Sequence, residues 1–121
     1  MKNPFEHLRI DRRKELPAPW TDYPVLHDFI TVTVYNAGSD YVGIHLGIQD
    51  GRWVAGLTVR HGFGYSNCYP GRKWGEFDSR SDALLWSLGS LLSRHDVQGP
   101  VRHAVLRRIE QERQLSLFGN N

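Results

Sequence analysis

Six histidines and one cysteine are the side chains of this 121-residue chain best suited to chemistry, and their spacing argues for little of it. No two histidines stand four apart, as they would on one face of a helix, and no His-x-His pair occurs. The usual two-ligand starting points for a metal site are therefore missing. His45 and His61 fall in what read as neighbouring strands, where they could meet on the outer face of a sheet with Cys68 nearby. That set lacks a fourth zinc ligand. Cys68 beside His61 has the residue types of a nucleophile and its base, yet nothing is placed to orient the base. There is no glycine-rich phosphate loop with its lysine, no nucleophile elbow and no close acid pair. No catalytic residue, metal or cofactor is expected. A small nucleic-acid-processing enzyme built on His45, His61 and Cys68 is the alternative reading.

A second chemistry is suggested between Arg52 and Arg80. Arg52, Arg60, Arg72, Lys73 and Arg80 outnumber Glu76 and Asp78 there, and Trp53, Phe63, Tyr65, Tyr69 and Trp74 are interleaved with them. Cations neutralise phosphates and aromatic faces stack on bases. The whole chain carries a net charge of only +2, which permits nucleic-acid contact without demanding it.

The elements that would position these groups can be read in order. Asn3-Pro4 with Glu6 has the form of a short helix start. Pro17, Pro19 and Pro24 then forbid regular structure, so residues 1–28 read as an extended, proline-rich arm stapled by Trp20 and Tyr23. Ile30, Val32 and Val34 alternate with polar residues as a first strand, and Val42, Ile44, Leu46 and Ile48 as a second. Asp50-Gly51 is a strong hairpin signal, followed by a third strand on Trp53, Ala55, Leu57 and Val59. Residues 61–73 show no periodicity and read as a long loop, with a short fourth strand expected at Trp74–Phe77. Ser79 and Asp82 form a capping box that opens a helix running to about Arg94, with Leu84, Leu88, Leu91 and Leu92 inward. Gly99-Pro100 opens a second helix lined by Val101, Ala104, Val105 and Ile109. The fold class is α+β, with a three- to four-stranded antiparallel meander, one helix packed on a face and a second carboxyl-terminal helix. It occupies residues 29–113, ahead of a peptide tail at 114–121.

That tail reads Gln114-Leu115-Ser116-Leu117-Phe118. It resembles the pentapeptide by which bacterial polymerases, repair proteins and mobile-element proteins dock on the replication sliding clamp, and all five positions match. The resemblance implies that Leu117 and Phe118 enter an apolar pocket of the clamp while Gln114 bonds to its rim. A weaker resemblance links Gly51, Trp53, Val54, Ala55, Gly75, Phe77, Ser79 and Ala83 to ethylene-response-factor and integrase arm-type DNA-binding domains. Those have a three-stranded sheet with one helix on its back and lay the sheet in the major groove. Carried over, that implies duplex DNA as a partner and Arg52, Trp53 and Arg60 as contacts, to which the basic and aromatic window between Arg52 and Arg80 adds Arg72 and Lys73. The family's arginine-rich first strand is absent here, and the 61–73 segment is longer than its usual turn.

Composition bounds the rest. With 40% hydrophobic residues and four tryptophans the chain can build a core. No apolar run approaches a membrane span and no secretory signal is read, so the expected location is the cytoplasm, which a lone Cys68 fits. The expected function is that of a small non-enzymatic bacterial, phage or plasmid accessory protein that docks on the clamp and touches DNA through its sheet and the 61–73 segment. A variant only blocks the clamp and needs no DNA.

Overall fold

A computed structural model of the chain describes residues 24–62 and 64–117, with side chains described up to Leu115. The expected helix start at Asn3, the staple by Trp20 and Tyr23, and Phe63 and Phe118 lie outside the described residues.

Four strands form one antiparallel meander in the order β1 (Ile30–Ala37), β2 (Asp40–Gln49), β3 (Arg52–His61) and β4 (Gly64–Gly71). The alternation read from the sequence decides the faces. Val32, Ile44, Leu46, Ala55 and Val59 point to one side and join the core, while Thr31, His45, Thr58 and Arg60 point to the other. Asp50 and Gly51 both adopt positive φ, at 54° and 80°. Two central residues of that hand suit the right-handed twist of a two-residue hairpin.

The core side is covered by α1 (Arg80–Leu92), which crosses β2 and β3, and by α2 (Gly99–Leu117), which lies against β1 and α1. Ser79 caps α1 as expected, its hydroxyl accepting from the Asp82 N–H at 3.0 Å. Leu84, Leu88 and Leu91 are fully buried, as are Val97 and Val105, and Ile109 nearly so. Ser79→Ala leaves a first-turn N–H without its acceptor, so a loss of about 1 kcal/mol in urea unfolding is expected.

One element differs from the sequence reading. Residues 64–71 form the fourth strand, not a loop, and Trp74–Phe77 does not supply one. Arg72–Trp74 is a 3-10 turn, and Phe77 makes an isolated bridge to Trp53 through bonds of 2.9 and 3.1 Å. The reason is that β4 has no apolar stripe. Tyr65 and Asn67 face outward, while Ser66 and Cys68 face a side that no helix fully covers. Along its pairing with β3, two steps from Ala55 to Leu57 span three on β4, from Gly71 to Cys68, which is a bulge.

Candidate functional site

The buried face of α2 ends before the Gln114–Phe118 stretch begins. Val105, Ile109 and Glu112 are its buried positions, and the Glu112 carboxylate accepts from the Ser81 hydroxyl at 3.4 Å. Gln114 is exposed and Leu115 is 47% exposed. The backbone of residues 114–117 continues the helix.

The five residues expected to meet DNA are divided between two ends of the sheet. Arg52 is ion-paired with Asp78, and Arg72 reaches Asp50 at 3.0 Å and Glu76 at 3.2 Å. Lys73 lies 5.1 Å over the Trp74 ring, and Trp53 is half-buried against the core. Arg60 is exposed at the far end of β3, 5.5 Å over the Tyr41 ring. Eight residues of strand, roughly 26 Å, separate it from Arg52.

The outer sheet face holds a feature that the sequence reading did not anticipate. A chain of hydrogen bonds crosses all four strands, from Thr31 to His45 (2.8 Å), His45 to Thr58 (2.7 Å) and Thr58 to Asn67 (2.6 Å). Thr58 donates its proton to the Asn67 side-chain oxygen, so it accepts from Nε2–H of His45. Nδ1 is then unprotonated and accepts from Thr31. The neutral ring satisfies every bond in the row. Phe29 packs on its edge at 4.9 Å, and Tyr69 on Phe29 at 5.8 Å.

Glycine makes room for this arrangement. A Cβ at Gly47 would strike Leu26 at 2.7 Å and touch Phe29, so residues 24–29 lie across this part of the sheet. At Gly43 it would strike the ring of Tyr41. Both gaps are filled from within the chain.

Burial pushes the His45 pKa below 6.5, against the smaller opposing pull of the Asn67 side chain. Between that lowered value and 6.5 an unfolded chain binds a proton that the folded ring refuses, so unfolding is favoured as pH falls. Stability from this ring is complete above pH 6.5 and declines below it, by at most about 1.4 kcal/mol per pH unit. Urea titrations at pH 7.5 and 5.5 should show the loss, and His45→Gln should reduce it.

Known protein families, curated proteins and solved structures yield no match to this chain. The arrangement of its own residues therefore carries the functional argument.

The expected meeting of His45 and His61 does not occur. His45 faces outward opposite Gly56, and His61, an odd number of residues further along β3, points to the core side. There its Nε2 lies 3.4 Å from Asp96. Asp96 is gripped by Arg94 through two bonds of 2.8 Å, which hold the carboxyl below its ordinary pKa and the guanidinium above its own. Arg94 and Cys68 line one cleft between α1 and the β3–β4 hairpin. Among the described residues no group of three His, Cys, Asp or Glu side chains could hold a metal. No described helix is long and apolar enough to cross a membrane. A sequence signal for the cleft did exist, since Ser87 and Ser90 interrupt the leucine pattern of α1 and Ser66 and Cys68 share one face of β4.

Proposed function

We propose that this protein is an accessory factor that docks on a bacterial-type replication sliding clamp through Gln114, Leu115, Ser116, Leu117 and Phe118. The observation that supports it is the exposure of Gln114 and Leu115 beyond Glu112, the last buried side chain described in α2. An exposed leucine at a helix end gives up burial worth about 1.5–3 kcal/mol unless a partner covers it. Docking in an extended form requires the last turn of α2 to unwind, and terminal turns open at little cost.

Tethering to the clamp raises the local concentration of the protein at DNA, so a weak second contact suffices. Of the four cations expected to meet DNA, Arg60 and Lys73 have no acidic partner among the described residues, while Arg52 and Arg72 are already ion-paired. This placement favours docking as the main activity and gives DNA a subsidiary role. The test is binding of purified clamp to the intact chain and to a chain ending at Arg113. Binding lost on truncation supports the proposal, and equal binding or none by the intact chain overturns it. A duplex-DNA mobility shift that weakens with salt would distinguish a tether from a clamp blocker.

A further inference from the structure

The cleft between α1 and the β3–β4 hairpin lies on the β4 side of the core, away from the end of α2, and its reading stands independently of clamp docking. It is half-open, with a volume of about 290 Å³. That is near the lower end of the range for small-molecule sites, roughly 300–1,000 Å³, and too small for a folded partner. The space exists because small residues occupy positions where a core needs large ones: Ser87 and Ser90 on the helix, Ser66 and Cys68 on the strand. Leu57, Trp74 and Trp86 supply apolar and aromatic wall.

The polar groups converge in a usable way. Ser87 is already satisfied, its hydroxyl donating to the Ala83 carbonyl at 2.8 Å. Those of Ser66 and Ser90 make no hydrogen bond among the described residues. Arg94 uses Nε and Nη2 to hold Asp96, which fixes the guanidinium plane and leaves Nη1 without an acceptor among the described residues. A locked guanidinium with one free amino group, beside two hydroxyls and two indoles, suits a flat apolar body ending in a carboxylate.

We propose that this cleft binds a small aromatic carboxylate, its ring against Trp74 and Trp86 and its carboxylate on Nη1 of Arg94. Cys68, the only cysteine, reports occupancy from inside the site. The experiment follows alkylation of Cys68 by iodoacetamide in the full chain as benzoate or indole-3-acetate is added, with benzamide and indole-3-acetamide as neutral counterparts. Saturable protection by a carboxylate is expected, with the indole N–H resonances of Trp74 and Trp86 shifting at the same concentrations. Arg94→Gln should weaken the carboxylate about tenfold and leave the amide unchanged. Ser90→Leu, or Ser66→Leu from the strand side, should abolish both while the variant still unfolds cooperatively. Absence of saturation by either carboxylate up to millimolar concentrations overturns the proposal. So does protection that survives both filling substitutions, or equal loss of acid and amide in Arg94→Gln.

Discussion

Alanine at both Leu117 and Phe118 is expected to lower clamp affinity about a hundredfold or more while leaving the midpoint of thermal unfolding almost unchanged. The magnitude follows from how small docking motifs work. A handful of anchors fills a pocket, and removing one costs about 2 kcal/mol or more. On the proposed docking, Leu117 and Phe118 together would account for most of the binding free energy that five residues can supply. The expected indifference of stability rests on α2, whose contacts with the core run through Val105, Ile109 and Glu112, with Leu115 already 47% exposed. Substitutions that disturb no such contact change stability by about 0.5 kcal/mol at most. Affinity can be read by anisotropy of the labelled chain against purified clamp, and stability by thermal unfolding of the same samples. A double variant that melts several degrees lower would place these side chains in the protein's own core and remove the ground for docking. One that keeps full clamp affinity would refute the role of the pentapeptide directly.

The parts of the fold set by neighbouring residues are legible in the sequence. Alternation gave the first three strands, Asp50-Gly51 their second turn, and Ser79 with Asp82 the start of α1, because each signal acts within a few residues. β4 was not legible, since a strand is recognised by an apolar face and this one shows Tyr65 and Asn67 to solvent and Ser66 and Cys68 to a cleft. The row from Thr31 to Asn67 needs the register of three strand pairs at once, and no local pattern encodes that. The same register separates His45 from His61. Parity within each strand carries this separation, since His61 is in step with Trp53, Ala55, Leu57 and Val59 while His45 falls between Ile44 and Leu46. Charge was legible only as composition. Which acids neutralise Arg52 and Arg72 depends on turns that bring Asp50, Glu76 and Asp78 alongside them.

Gly56→Ala is expected to destabilise the protein by about 2–4 kcal/mol, a large effect for one methyl group. The cause is not backbone conformation, because Gly56 is not among the residues of positive φ. A Cβ there would lie 2.3 Å from the Cys68 carbonyl oxygen, 2.6 Å from the Tyr69 carbonyl carbon and 2.7 Å from the Pro70 nitrogen. All three are backbone atoms of the β4 bulge, so no side chain can swing aside to relieve the clash. The bulge must move away from β3, disturbing Pro70, which is fully buried and receives the Leu26 N–H at its carbonyl. Gly62→Ala is the control. Among the described residues its Cβ would meet nothing closer than the Ser39 hydroxyl at 3.7 Å, and its φ is not positive, so restricting the unfolded chain should leave stability equal or slightly higher. Urea unfolding of the two variants gives the comparison. Iodoacetamide should also alkylate Cys68 faster in Gly56→Ala, because the displaced bulge begins at that residue. If both glycines accept alanine equally well, the close approach of β4 to β3 is not what Gly56 permits, and the cleft floor at Cys68 is not held by it.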